Sequence, residues 1–201
     1  MCHHSDRVAD GRTNVVLGAR LSSAYAALRG SPPRAWGQRG RYGWSVGEIR
    51  LRLFTTEALS VLEPWFDDPE TQRRLGGPDW PARELRLLAD PPPAHRGQRV
   101  ERRWAWVAED LVPVGLVVAE AYCDATASVA LVVDPARRGR GVGRRILRAV
   151  LDALRAAGIR EATGGIEADN VASVRCVEAA GFTRQAEEPD AEGFVNFAAT
   201  T

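Results

Sequence analysis

The chain has 201 residues, 45% of them hydrophobic and 26% charged, enough for one domain with a substantial core. Its 27 basic and 26 acidic residues leave a net charge of +1, so no global charge excess points to nucleic acid or to an anionic membrane. None of the basic residues is lysine, and no apolar run approaches membrane-spanning length.

The charge is unevenly spread. Residues 1–47 carry seven Arg against Asp6 and Asp10, whereas residues 48–201 carry 20 Arg against 24 acids, so a basic tail precedes a mildly acidic domain. The tail lacks sustained periodicity and ends in Gly30-Ser31-Pro32-Pro33 and Gly37-Gln38-Arg39-Gly40, the composition of a disordered segment. Val15 to Leu28 could form a short helix, but Arg20 interrupts its apolar run, which also argues against a signal peptide. Cys2, Cys123 and Cys176 show no paired spacing, so a reducing cytoplasm is the expected location. Cys2-His3-His4 has no second ligand cluster, and no metal site is expected.

The domain, residues 48–201, opens with Ile49, Leu51 and Leu53 alternating with Arg50 and Arg52, a half-buried strand. Thr55 or Thr56 then caps a helix over Glu57–Phe66; short helices follow over Glu70–Leu75, ended by Gly76-Gly77-Pro78, and over Ala82–Ala89. The aromatic residues Trp65, Phe66 and Trp80 in this region read first as core. Pro91 to Gln98 reads as an irregular loop, and Trp104–Glu109 with Val114–Ala121 as a hairpin around Asp110-Leu111-Val112-Pro113. After the turn Asp124-Ala125-Thr126 comes the apolar strand Ser128–Val133, stopped by Asp134-Pro135.

The next residues, Arg138-Gly139-Arg140-Gly141-Val142-Gly143-Arg144, lead into a helix with Val142, Ile146, Leu147, Val150, Leu151 and Leu154 on one face. Glycines here let a ligand approach the backbone, and the first amides of a helix point outward at the positive end of its dipole. Strand, glycine-arginine turn and helix together make an anion site suited to a pyrophosphate. The Gly-x-Gly-x-Gly spacing fits neither a mononucleotide P-loop, which needs a lysine, nor the Gly-x-Gly-x-x-Gly dinucleotide fingerprint.

Gly158 ends that helix, and Ile159–Glu167 reads as a strand in which Gly164-Gly165 suggests a bulge. Then comes Asn170-Val171-Ala172-Ser173, where Asp169, Asn170 and Ser173 lie at capping positions of a short helix whose stop is Gly181-Phe182. Phe182–Ala186 and Phe194–Ala198 form a final hairpin around the acidic loop Glu187–Glu192.

These two motifs, in this order and separated by a helix and a strand, resemble the acetyl-CoA-binding motifs of the GNAT superfamily of N-acyltransferases. The likeness covers most of residues 48–201 and not the tail. It implies an α/β fold with a mixed, mostly antiparallel twisted sheet flanked by helices, and acetyl-CoA as co-substrate. It implies that Arg138, Gly139, Arg140, Gly141, Val142, Gly143 and Arg144 hold the pyrophosphate and that Asn170, with Ser173 nearby, contacts the CoA arm. By the same resemblance, backbone groups of Leu131, Val132 and Val133 bind the pantetheine and thioester where that strand splays at a bulge. The helices after the first strand would wall the acceptor pocket.

The implied reaction is direct attack of a primary amine on the thioester. An amine with a pKa of roughly 8 to 10 arrives protonated, so a general base is useful. Glu120, unusual in its apolar strand, and Glu167, just before Asn170, are the acidic candidates, with Glu120 favoured. Many family members place an acidic tyrosine seven residues after the Asn; here Val177 stands there, and Cys176 is turned about 100° away around the helix. Tyr122 or water is left to protonate the thiolate. The absent tyrosine and the Asn-x-x-Ser form resemble the ribosomal-protein N-terminal acetyltransferase branch. The alternative function is a non-catalytic acyl-CoA-binding sensor. Expected partners are a small-molecule or peptide amine, without nucleic acid or membrane, for a monomer or homodimer.

Overall fold

A computed structural model describes residues 48–90, 94–95 and 98–201 of the chain. The tail, with the helix expected over Val15–Leu28 and the Cys2-His3-His4 cluster, lies outside the described residues.

Eight strands are described: β1 (Arg50–Leu53), β2 (Ala94–His95), β3 (Gln98–Asp110), β4 (Val112–Tyr122), β5 (Thr126–Val133), β6 (Glu161–Glu167), β7 (Thr183–Arg184) and β8 (Phe194–Thr200). The helices are α1 (Thr56–Leu62), α2 (Pro69–Leu75), α3 (Trp80–Ala89), α4 (Val142–Ala156) and α5 (Val171–Ala180). The sheet runs β1-β3-β4-β5-β6-β8-β7, with β2 paired to β3. Among the described strands only β5 and β6 pair in parallel, because α4 carries the chain back across the sheet between them. The mixed, mostly antiparallel sheet expected from the sequence is therefore the observed one.

Strand alternation sends residues to two faces, and each face is covered by its own helices. On one, Ile146, Leu147, Val150 and Leu154 of α4 and Val177 of α5 meet Val117, Ala119, Val129, Leu131, Ile166 and Phe197. On the other, Leu62, Trp65, Phe66, Leu75 and Trp80 from the α1–α3 segment meet Phe54, Ala105, Val107, Leu116, Val118 and Val132. Trp65, Phe66 and Trp80 are thus core residues, Phe66 stacking on Trp80 with ring centroids 5.8 Å apart.

Several boundaries differ from expectation, each for a local reason. The helix expected over Glu57–Phe66 breaks at Leu62, where Pro64 turns the chain into a 3-10 segment, Glu63–Asp67. α3 starts two residues early, at Trp80, because Pro81 sits at a first-turn position needing no N–H. The expected irregular loop at Pro91–Gln98 contains β2, which pairs Ala94 with Arg99 and His95 with Gln98. The β3–β4 hairpin turns on Leu111 alone, at φ 66°, with pairing resumed at Asp110↔Val112. Leu53, expected to face inward, is 66% exposed because β1 is an edge strand that ends there. No bulge occurs at Gly164-Gly165, whose pairing to Phe197 and Asn196 is regular. Nor does β5 bulge, since its register with β4 is unbroken from Ala127 to Val133.

Candidate functional site

β5 and β6 are bridged only at Thr126↔Glu161, Ala127↔Ala162 and Ser128↔Thr163. Beyond that row they part, although β5 stays paired to β4 as far as Val133 and β6 to β8 as far as Glu167. The result is a wedge between two strands that are each supported on their outer side. Asp134 donates its N–H to the Val114 carbonyl at 3.1 Å, so by alternation Val132 also turns its backbone to β4. Leu131 and Val133 therefore direct their backbone groups into the wedge. Of the three residues Leu131, Val132 and Val133, the middle one gives its backbone to β4 and its side chain to the core.

At the open end lies the glycine-arginine turn. Gly139 and Gly141 hold left-handed φ angles of 73° and 72°, and a Cβ built on either would meet nothing within 4 Å. Arg145 makes the first bond of α4, donating to the Gly141 carbonyl at 3.3 Å. The amides of Val142, Gly143 and Arg144 thus have no partner inside the helix, and no side chain caps its start. Arg140 and Arg144 are exposed beside them. An anion seated there would take three amides, the positive end of a 15-residue helix and two guanidinium groups.

Gly143 acts in packing: a Cβ there would lie 2.7 Å from the Cys176 Sγ, so glycine sets the approach of α4 to α5. Burial raises the pKa of that thiol, with the Arg144 charge pulling the other way, so Cys176 is an inert packing residue. Val177, at the usual tyrosine position, is wholly buried in the core. Asn170 caps α5 by accepting the Ser173 N–H at 3.2 Å, and Gly181, at φ 105°, closes the helix with Phe182 folded back and buried.

The short helix α2 straddles the wedge. At its start, Asp68 accepts the Thr71 N–H at 2.9 Å, and Arg138 reaches across to Asp68 at 2.8 Å and to the Thr71 hydroxyl at 2.6 Å. At its other end Arg74, 8% exposed, bonds Glu70, Glu167 and Asp169, and Arg73 adds Glu167 at 3.4 Å and Asp169 at 3.3 Å. Burial opposes the Arg74 charge most strongly, yet bonds from Asp169, Glu70 and Glu167 outweigh it and raise its pKa. Arg138 is consequently directed to α2 rather than to the loop's amides. Glu167, four residues beyond the last β5–β6 bridge, has its carboxylate engaged by two arginines.

At the closed end of the wedge a buried polar row crosses the sheet. Arg103 of β3 stands opposite Glu120 of β4, Glu120 opposite Ser128 of β5, and Ser128 opposite Thr163 of β6. Glu120, Ser128 and Thr163 are each at most 8% exposed, and the Arg103 side chain is 4% exposed. By alternation the row lies on the α1–α3 face, where Leu116 and Val118 also point. Arg103 is ion-paired to Glu120 and, on its other side, to Glu84 of α3. The Tyr122 hydroxyl lies 3.1 Å from the Ser128 Oγ and 3.5 Å from Glu120.

Glu120 and Tyr122 are thus brought together, and Glu167 stands apart from them at the loop end. Glu84 and Arg103 were not singled out by sequence. Their signal was present: Glu84 falls between Trp80 and Leu88 at helical spacing, and Arg103 precedes Ala105 and Val107 on an alternating face.

A model of the Acetyltransferase (GNAT) family matches residues 60–182. The chain is 32% identical, over 73% of its own length and 93% of the relative's, to the Uncharacterized N-acetyltransferase YfmK of Bacillus subtilis (strain 168). A shorter likeness, 40% identity over 28% of this chain and 33% of the relative, links it to the L-methionine sulfoximine/L-methionine sulfone acetyltransferase of Salmonella typhimurium. Among solved structures, that of AAC(6')-Ib with paromomycin and acetyl-CoA superposes with a TM-score of 0.60 at 19% identity, covering 76% of this chain and 93% of that one. The GNAT domain of S. lividans PAT gives 0.59 at 20% identity, over 76% and 90% of the two chains. With a family match across most of the described fold and a relative matched over nearly its whole length, the chain belongs to the GNAT family of acetyltransferases and is an acetyl-CoA-dependent N-acetyltransferase.

Proposed function

We propose that the chain transfers an acetyl group to the primary amine of a small molecule, with Glu120 as general base. The single observation that carries this is the polar row ending at the closed end of the wedge, which sets a buried carboxylate and two hydroxyls on the face covered by α1–α3.

Acetyl-CoA supplies a thioester whose C–S bond is exchanged for a C–N bond to the amine. The amides of Val142, Gly143 and Arg144, with Arg140 and Arg144, fit its pyrophosphate, because the space beside Gly139 and Gly141 is open. The backbone of Val133 would hold the arm and the Leu131 N–H would polarise the thioester carbonyl. Asn170, which accepts the Ser173 N–H at the start of α5, would contact the arm there, with Ser173 nearby. Glu120 takes the proton lost by the amine, directly or through the Tyr122 and Ser128 hydroxyls, and Tyr122 or water returns one to the departing thiolate. Glu167 acts in the clamp of α2, since its carboxylate is already engaged.

The acceptor class is supported by the names of proteins similar to this chain: AAC(6')-Ib is solved with paromomycin, and the Salmonella typhimurium relative is a methionine sulfoximine acetyltransferase, both names of small-amine acceptors. The likeness to the ribosomal-protein branch rests only on the Asn-x-x-Ser form and Val177, and peptide N-termini are the second acceptor class to screen. Release of free CoA thiol with kanamycin, spermidine, methionine sulfoximine and an N-terminal peptide should show turnover with a small amine. Tight acetyl-CoA binding with no turnover across the panel would favour the sensor alternative. Glu120→Gln should lower turnover about 100-fold with acetyl-CoA affinity unchanged. Turnover within a few-fold of the parent at every pH would remove Glu120 as the base.

A further inference from the structure

Arg103 lies between two carboxylates contributed by different layers of the fold. Glu120 comes from the sheet and Glu84 from α3, and both are ion-paired to the one guanidinium. Glu84 is 1% exposed and Glu120 5%, so water screens the cluster little. Two acids and one base give this trio a formal charge of −1.

We propose that Glu84 is a positioning residue for the transfer reaction: it orients Arg103 and, by sharing that guanidinium, keeps Glu120 basic enough to accept a proton. This rests on Glu120 being the base. The physical argument concerns competition. A guanidinium given wholly to Glu120 would stabilise its charged form and weaken it as a proton acceptor. A second carboxylate on the same guanidinium divides that stabilisation and adds its own negative charge nearby. Among the described residues, the groups facing Glu120 include Arg103 from β3, Glu84 from α3 through Arg103, Ser128 from β5, and Tyr122 on its own strand; Arg103 sets a positive charge against it. Glu84 also ties the acceptor-side helix α3 to the reacting row, so the basicity of Glu120 depends on α3 being docked.

The test is a pH titration of the full chain labelled with 13C at the glutamate carboxyl carbon, followed by NMR. Glu84→Gln and Glu120→Gln each remove one resonance and so assign it. In Glu84→Gln the Glu120 midpoint should fall by about 1 to 2 pH units, the size expected for a buried like charge a few ångströms away. The acid limb of kcat/KM, measured by CoA-thiol release with the panel amine that turns over, should move down by the same amount. A structural role alone would lower thermal stability and leave both unmoved. Coupling is reciprocal, so Glu120→Gln should lower the Glu84 midpoint equally, which keeps the test decisive if Glu84→Gln fails to fold. Midpoints of both residues unchanged within about 0.3 units would overturn the proposal. Loss of turnover in Glu120→Gln is read separately, so a wrong base and an uncoupled Glu84 give different outcomes.

Discussion

The two faces of the sheet solve different problems. On the α4–α5 face the interior is uniformly apolar, and the groups proposed to hold the cofactor are backbone amides and glycines at helix ends. On the α1–α3 face a smaller apolar cluster shares its space with a buried guanidinium and two buried carboxylates, and the helices are short. The proposed ligand site of one face comes from chain conformation. The proposed chemistry of the other comes from side chains that become partners only after folding.

That contrast predicts where substitution should hurt most. Arg103→Ala would leave Glu84 and Glu120 facing each other without their shared cation. Stability should fall by about 3–5 kcal/mol, far more than for any exposed arginine of α4. Denaturant unfolding checks this, and a loss near that of a surface pair would show that the row is not energetically a buried cluster.

On the opposite face Gly141→Val should act through binding. Valine at φ 72° costs about 1–2 kcal/mol of strain, and its side chain would enter the open space beside the loop. The domain should stay folded while acetyl-CoA affinity falls by roughly 30-fold or more, about 2 kcal/mol, by calorimetry. Unchanged affinity would sink the assignment of this loop. Gly143→Ala separates packing from binding at the same turn, because its Cβ would press on the Cys176 Sγ from 2.7 Å. Destabilisation of about 1–3 kcal/mol is expected, relieved when Cys176→Ala is added. Without such relief, the α4–α5 approach is not what requires glycine.

The same contrast explains what could be read from sequence. The loop and the Asn170 helix were legible because their chemistry is local: glycines, caps and an amphipathic period sit within a few residues of the groups they position. The order of strands followed from alternation and short links. Glu120 was visible as an acid in an apolar strand, but its partner Arg103 lies 17 positions earlier in the chain and Glu84, which shares that guanidinium, 36 positions earlier, and no local pattern couples them. Arg138 has partners that the local sequence does not suggest, for a related reason. It belongs to the loop motif by spacing, yet Asp68 and Thr71, far earlier in the chain, claim its guanidinium. The bulge expected at Gly164-Gly165 failed because a glycine pair marks where β6 leaves β5, not a break in its pairing with β8.

The smallest expected effect concerns the clamp of α2, which joins the two regions across the wedge. Asp169 has its pKa held below the ordinary aspartate value of 3.8, chiefly by the hydrogen bond from Arg74; Asp68 is held down first by the Thr71 hydroxyl and Glu70 first by Arg73. A carboxylate with a depressed folded-state pKa contributes stability above its unfolded pKa and loses it as pH falls through the folded value. The clamp should therefore be intact at neutral pH and fail only on acidification below about pH 4. Asp169 is exposed, so solvent screening keeps the effect small. Asp169→Asn should melt slightly below the parent at pH 7, and the two should converge as pH falls through the depressed folded-state value of Asp169, below 3.8, where its side chain becomes protonated. Added salt should narrow the gap at pH 7 as well. A difference in Tm that persisted undiminished at acid pH would mean that Asp169 matters through the turn leading into Asn170, and not through its charge on Arg74.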